Sequence, residues 1–339
     1  MATTFFKSEG IEMVHSSEWL KDISCTTSRP ARARYAAAIC TDANYLPYAL
    51  FVAKGLHDMH DLAALDIVLC VTDDCKIPEG LAYLDLRVCR IDTGTTFSDL
   101  YLDARRTEAV YHRLALPHLL GDDYDRILYL DCDTFIQGDA FARLFSVEMN
   151  GLAIAAVRDL PQWILPTKEL RAFADKTGPA NKYLNSGVML FDTASYRSTR
   201  ILERCVSRGK ELAGQPYQHD QDLINEVLQG DWVELSPVWN WQRPVSIPYN
   251  GTMLPINIVH FIGWRKPWKD TDHRISPRFK QALNAFLQRQ FPEHRLAPIR
   301  YAPSVVQVGV LTQTSRVARF SRAMKRYLAR FPDDMVAQD

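Results

Sequence analysis

A mostly parallel β-sheet covered by helices on both faces is the fold this 339-residue sequence predicts. Two observations carry that expectation: short, almost wholly apolar runs recur through the first half of the chain, and helix-compatible segments alternate with them. Apolar runs without in-and-out alternation suit strands buried on both faces, as parallel sheets require. At 47% apolar residues the chain can bury a sizeable core, which suits one large α/β domain with appendages.

Residues 1–34 mix charges with Ser and Thr and show no clear periodicity. The first strand is Ala36-Ala37-Ala38-Ile39-Cys40, ending at Thr41-Asp42, and a helix over 45–57 and a strand over 64–71 complete a strand–helix–strand unit. A third strand follows at 87–91, a helix over 104–120 closed by Gly121, and a fourth strand at 126–130. Strands at 152–157 and 184–191 flank a Pro-containing stretch, 158–183, that is too long for a simple turn; loops of that length are often functional. Helical patterns at about 195–213 and 220–229 precede short strands near 232–235 and 256–260. The chain divides into an N-terminal extension (1–34), an α/β domain (35–275) and a C-terminal helical region (276–339).

Forty acidic and forty basic residues cancel, so nothing global draws this chain to nucleic acid. Seven scattered cysteines without paired CxxC spacing read as reduced thiols rather than a zinc site or a disulfide framework. No apolar run reaches the roughly 18 residues of a membrane helix, and residues 1–34 lack a signal-peptide core, so the expected location is cytoplasmic. Segment 313–331 contains no acids; Val317, Phe320, Met324, Leu328 and Phe331 recur at helical steps, with Arg319, Arg322, Arg326 and Arg330 on another side. Such a basic amphipathic helix either packs its stripe on its own domain or rests on an anionic membrane surface, making the protein peripheral on the inner membrane.

The sharpest chemical feature is Arg126-Ile127-Leu128-Tyr129-Leu130-Asp131-Cys132-Asp133, a buried strand opening into two carboxylates one residue apart. Ligands of open α/β sheets bind beyond the carboxyl ends of the strands. Two Asp side chains there can hold one hard divalent cation and leave positions open for diphosphate oxygens. The tripeptide alone is also an ordinary polar strand terminus; the apolar lead-in sets it apart. Asp131-Cys132-Asp133-Thr134 also has the shape of the nucleophile motif of haloacid-dehalogenase-like phosphatases, with Asp131 attacking phosphorus. In those enzymes the motif follows the first strand, whereas three strand signals precede it here and the later acidic cluster is missing.

Asp42 and Asn44 end the first strand, where they could offer acceptors to a base or ribose or simply cap the next helix. In Ile256-Asn257-Ile258-Val259-His260-Phe261-Ile262-Gly263-Trp264-Arg265-Lys266, His260 could complete an Asp2His site suited to manganese, with magnesium as the alternative. Gly263 permits close backbone approach, and Lys266 supplies a compact charge for a phosphate. Asn185-Ser186-Gly187 and His219-Asp220-Gln221-Asp222 carry polar groups able to grip a sugar, or to serve as turns and caps. Alone, Arg113 reads as a solvated helical arginine. A glycine-rich dinucleotide turn and a Walker loop are both absent.

Together, TDANY, YHRL, LYLDCD, YLNSGVML, QHDQDLIN and VHFIGWRKPW resemble, in order and approximate spacing, the retaining family 8 glycosyltransferases, a likeness that covers residues 35–270. Members of that group include bacterial lipooligosaccharide galactosyl- and glucosyltransferases and glycogenin. The resemblance implies a GT-A fold, a UDP-sugar donor, manganese, and retention of anomeric configuration. It also implies a glycan or glycolipid acceptor, in bacterial lipopolysaccharide or surface polysaccharide synthesis. By position it gives Asp131, Asp133 and His260 to the metal, Asp42 and Asn44 to the uridine, and Arg113 and the Cys132 backbone to the donor. Asn185, Ser186, Asp220 and Gln221 line the sugar, Gly263 and Lys266 the diphosphate, and Asp159 the sugar or acceptor side. Gln221 beneath the sugar favours front-face attack, and Asp220 keeps a covalent route open. An inactive nucleotide-sugar-binding protein is the third class the sequence allows.

Overall fold

The computed structural model describes residues 19–59, 65–72, 75–103, 107–165, 168, 182–212, 219–243, 255–271, 275–299 and 322–338. Its first half is built from β1 (Ser24–Thr27), β2 (Tyr35–Thr41), α1 (Leu46–Met59), β3 (Leu65–Val71), β4 (Arg87–Asp92), α2 (His112–Leu120) and β5 (Arg126–Leu130). Then come β6 (Thr134–Ile136), α3 (Phe141–Phe145), β7 (Ile154–Arg158), α4 (Leu160–Ile164) and β8 (Leu184–Asp192). The rest comprises α5 (Thr193–Ser198), α6 (Ile201–Glu211), α7 (His219–Leu228), β9 (Val233–Glu234), β10 (Trp241–Gln242), β11 (Ile258–His260) and α8 (Pro277–Gln290).

Among the described residues the main sheet runs β1-β4-β3-β2-β5-β8-β7-β9, and a small sheet runs β10-β11-β6. Pairing is parallel from β4 through β3 and β2 to β5, antiparallel at β8, and antiparallel again at the β1 edge. The central strands are buried on both faces: Ala37, Ile39, Leu128 and Leu130 enter one core layer, while Ala36, Ala38, Ile127 and Tyr129 enter the other. That split is the period-two alternation of a strand, hidden in sequence because both faces are apolar.

Three local expectations are revised. The helix expected over 104–120 begins only at His112, because Thr107 is extended and Glu108–Val110 form a 3-10 turn; residues 104–106 lie outside the described set. The single helical pattern at 195–213 is two helices, broken where Arg200 adopts φ 55°. Within 158–183, Leu160–Ile164 form a short helix, and 166–167 and 169–181 are outside the described residues. The aperiodic N-terminal segment also supplies β1, whose partner is β4. Asp66, an acid inside apolar β3, holds that segment by accepting hydrogen bonds from Arg29 Nη2 and Arg32 N, each at 2.8 Å.

The seven cysteines are free thiols, as expected, and among the described residues no helix is long and apolar enough to cross a membrane. Of the C-terminal stripe, residues 313–321 are outside the described set. In the helix over 322–328 and the turn after it, Met324, Tyr327 and Phe331 are buried in the main core, and Leu328 packs against it. The described part of the apolar side is therefore packed on this domain, and Arg322, Lys325 and Arg326 stay exposed.

One buried ion pair fixes α8 to the loop after β11: Lys280 Nζ donates to Asp270 Oδ2 at 2.9 Å, and both side chains are fully enclosed. Removing one partner of such a pair leaves an uncompensated buried charge. Lys280→Met is expected to lower stability by about 3–5 kcal/mol, while Lys280→Met with Asp270→Asn recovers most of it. Urea unfolding of the two variants measures both numbers.

Candidate active site

The site begins where β5 ends. Leu130 is paired with Val188 of β8, and the next amide, Asp131 N, still donates to Gly187 O at 2.8 Å. The chain then turns: Thr134 N and Oγ1 both donate to Asp131 O, at 3.2 and 2.8 Å, closing a tight loop over Asp131–Thr134. This turn holds both carboxylates at the sheet's carboxyl edge. Beyond it, β6 pairs antiparallel with β11, placing Thr134 opposite His260, and Phe261 N donates to Asp133 O at 3.1 Å. Residues far apart in sequence are thereby fixed side by side by backbone pairing.

Ligand atoms of Asp131, Asp133 and His260 all lie within 4.8 Å of one another. His260 Nε2 is 3.2 Å from Asp133 Oδ1 and 3.7 Å from Asp131 Oδ2. The outward atoms of these groups are engaged elsewhere. Asp131 Oδ1 accepts from Tyr129 OH at 2.6 Å and lies 2.9 Å from Arg113 Nη2, while Asp133 Oδ2 is paired with Lys266 Nζ. Asp133 Oδ1 is buried and takes no hydrogen bond.

The role of His260 Nδ1 follows from one backbone amide. Gly187 N can only donate, and it does so to Asn185 Oδ1 at 3.2 Å, which fixes that amide's orientation. Asn240 must then present Nδ2 to the same oxygen, at 2.9 Å, and Oδ1 to His260 Nδ1, at 3.0 Å. His260 Nδ1 is therefore the donor to Asn240, and Nε2 is the ring nitrogen that faces the two carboxylates. Two carboxylates and a ring nitrogen this close need positive charge among them, a proton or a metal ion. The donor set thus fits a divalent ion bound by oxygen and imidazole, with Asn240 orienting the ring as a metal-bound histidine requires.

Around this cluster the expected sugar-side residues form one network. Asn185 Nδ2 donates to Asp159 Oδ1 at 2.9 Å and to Gln221 Oε1 at 3.2 Å, and Ser186 N also donates to Gln221 Oε1 at 3.2 Å. Gln221 Nε2 donates to Tyr183 OH, and Tyr183 OH donates to Asp222 Oδ1. Helix α7 is fastened to β8 by Asn225, whose side chain bonds both the amide and the carbonyl of Leu184. Arg113 is no solvated arginine: it donates to Ser186 O at 3.0 Å, lies 3.4 Å from Asp220 Oδ2, and covers the Tyr129 ring at 4.5 Å.

Electrostatics follow from these pairings. Burial alone would raise the Asp133 pKa, but Lys266 and His260 outweigh it and hold the carboxyl well below its usual range. Burial would lower Arg113, yet Asp131 and Asp220 keep it well above the ordinary guanidinium value. Asp159 goes the other way, since burial pushes it up against the opposing hydrogen bond from Asn185.

Asp42 and Asn44 stand one strand over, at the end of β2. Asp42 Oδ1 accepts from Tyr45 N at 3.0 Å, so the capping role and a place beside the site coexist. Their turn is linked to the Lys266 loop by aromatic contacts: Tyr48 stacks on Trp268 at 3.7 Å, and Tyr45 meets its edge. The thiol of Cys132 faces away from the carboxylates, donating to Cys40 O at 3.3 Å. Gly263 adopts φ +79°, and Trp264 beside it is 69% exposed.

Two residues escaped the sequence reading. Asn240 gave only a weak signal, a lone amide between two tryptophans, and Gly187 was quoted in its motif without a role. The structure shows why glycine is needed: a Cβ there would lie 2.2 Å from His260 Cε1 and 2.7 Å from Asp131 Oδ2.

A mostly parallel sheet with an aspartate pair at its carboxyl edge and a histidine opposite defines the GT-A fold of glycosyltransferases. The family model for glycosyl transferase family 8 matches residues 36–272, and the chain belongs to that family. It is 33% identical over 183 residues to General stress protein A of Bacillus subtilis (strain 168), covering 49% of this chain and 62% of that protein. It is 26% identical over 190 residues to the lipopolysaccharide glucosyltransferase WaaO of Escherichia coli (strain K12), covering 53% and 55%. The chain thus spans under two thirds of the length of either relative. Among solved structures it resembles the galactosyltransferase LgtC in complex with donor and acceptor sugar analogues, with a TM-score of 0.60 and 18% identity over 78% of this chain and 98% of that one. Family membership sets aside the phosphatase reading of Asp131.

Gly187→Ala is expected to displace His260 and Asp131 and to cost about 1–3 kcal/mol through overpacking. Thermal unfolding checks the cost, and a changed His260 ring signal in nitrogen-15 NMR checks the displacement.

Proposed function

We propose that this chain is a metal-dependent hexosyltransferase that moves glucose or galactose from a UDP-sugar to a glycan or glycolipid acceptor with retention of configuration. The observation that carries the reading is the convergence of His260 Nε2 with the carboxylates of Asp131 and Asp133, an arrangement that calls for a cation. Asp131, Asp133 and His260 would hold manganese, with magnesium the alternative. When bound, such an ion offsets the negative charge that gathers on a departing diphosphate.

The chain's own residues would do the rest. Lys266, now on Asp133, is the side chain able to turn to a phosphate oxygen, and Gly263 lets the backbone approach it. Asp42 and Asn44 offer acceptors at the base and ribose end. Asn185, Ser186 and Gln221 would bind sugar hydroxyls, and Asp159, whose carboxyl burial pushes upward, would face a hydroxyl on the sugar or acceptor side. Asp220 is already engaged by Arg113, which lowers its worth as a nucleophile and supports front-face attack above Gln221. Surface glycan or lipopolysaccharide synthesis is the setting this reading favours, by analogy with the relatives. Attraction to an anionic membrane near a lipid-linked acceptor would rest on exposed Arg322, Lys325 and Arg326 rather than on Met324 and Phe331, which are buried.

A panel of UDP-sugars with manganese, scored by UDP release, tests the proposal: turnover of UDP-glucose or UDP-galactose is expected, and phosphoester cleavage without sugar dependence would sink it. Asp133→Asn should cut metal-dependent turnover by about two orders of magnitude while cooperative unfolding persists. A sugar trapped on Asp220, seen by mass spectrometry, would replace front-face attack with the covalent route.

A further inference from the structure

We infer that the C-terminal segment 322–337, beyond the residues matched by the family, is a strap that positions His260 through Asn240. The inference rests on the proposed metal site for its functional meaning, but the strap itself is a matter of contacts. After its helical turns the segment runs alongside residues 234–239 and grips them at successive points. Ala337 N donates to Glu234 O at 2.9 Å, Val336 forms an antiparallel bridge with Leu235, and Ser236 N donates to Met335 O at 2.7 Å. Trp239 Nε1 then donates to Asp334 O at 3.0 Å. The next residue is Asn240, whose side chain holds both His260 Nδ1 and Asn185 Oδ1.

A buried ionic cluster locks the strap down. The Glu234 carboxylate accepts from Tyr327 OH at 2.8 Å and from Arg330 Nη1 and Nη2 at 2.9 and 3.2 Å, and it lies 2.8 Å from Arg158 Nε. Arg158 alone could neutralise this carboxylate within the sheet. The strap adds a bidentate arginine and a phenol, so its attachment is coupled to the strand that leads to Asn240. A second path reaches the sugar side: Trp163 lies between Tyr327 and Trp241 at ring distances of 6.0 and 5.5 Å, and its Nε1 donates to Arg158 O, next to Asp159.

On its other side, segment 234–240 is tied to β11: Asn257 N donates to Val238 O at 2.9 Å, and Trp241 pairs with Val259. It is thus clamped between the strap and the strand that carries His260. Loosening the outer clamp should let Asn240 shift and the imidazole lose its fixed orientation. Outer partners of a ligating histidine affect metal affinity about 10–100-fold, so a support one step farther out should affect it less, about three- to tenfold.

The test compares Arg330→Gln and Tyr327→Phe with Leu202→Ala, a core substitution in α6 on the other side of the main sheet. Two quantities are read: the nitrogen-15 ring signals of His260 in the metal-free protein, and the dissociation constant for Mn2+ alone. Both strap variants are expected to shift the His260 signals and to weaken Mn2+ binding about three- to tenfold. Arg330→Lys should restore part of that loss, and Leu202→Ala should change neither quantity despite its lower melting temperature. Should Arg330→Gln fail to fold, Tyr327→Phe, which removes one hydroxyl, carries the measurement. The strap is overturned if the folded strap variants leave His260 and Mn2+ affinity as Leu202→Ala does. If the unaltered protein takes up no Mn2+, the metal reading fails, while the His260 signals still decide the strap.

Discussion

The register between Thr134–Ile136 and Ile258–His260 is the constraint on which the rest of the site depends. Pairing of Thr134 with His260 sets the imidazole beside Asp133, and the main sheet independently fixes Asp131 against Gly187. Because strand side chains alternate with a period of two, a slip of one residue would turn His260 to the opposite face. Three short strands, β10, β11 and β6, therefore contribute little area to the fold and much of the geometry to its chemistry. The larger sheet supplies what the small one lacks: a rigid edge, buried on both faces, from which the carboxylate turn cannot drift.

Charge explains why so many polar groups are enclosed here. Asp131, Asp133 and Asp220 converge on one small region, and Arg113 and Lys266 are the cations that face them. Three carboxylates against these two cations leave a deficit of positive charge. Enclosed charge without compensation is costly, and the deficit explains why Lys266 folds back onto Asp133. A divalent ion would remove the same deficit and free Lys266, so in the proposed reaction metal uptake and phosphate capture would be coupled by one side chain. Arg113 has no such freedom, because Ser186, Tyr129 and two carboxylates hold it.

Much of this was legible in the sequence because the informative elements are apolar runs ending in polar residues. The runs at 36–40, 64–71, 126–130 and 184–191 became β2, β3, β5 and β8. Asp131, Asp133, His260 and Lys266 announced themselves as polar residues at or just beyond such ends. Asn240 and Gly187 did not, for different reasons. Asn240 acts through a histidine twenty positions away, and nothing in its own neighbourhood marks it. Gly187 is required by what it excludes, and a missing side chain leaves no pattern. The helix boundary at His112 and the break at Arg200 were also illegible, since both depend on local backbone geometry that apolar spacing does not encode.

The C-terminal segment shows the limit of periodicity most directly. Its arginines at 319, 322, 326 and 330 recur as one row, which by spacing alone belongs to a single solvated or membrane-facing side. In the fold the row is divided: Arg322 and Arg326 are exposed, whereas Arg330 turns inward to Glu234. A helical wheel assigns each residue a direction, but it cannot know that a buried carboxylate waits on the neighbouring strand. Glu234 in turn gains donors for both of its oxygens from Tyr327 and Arg330. The helix and the strand thus each explain a residue that looks misplaced in the other, and that mutual dependence ties the tail to the catalytic sheet.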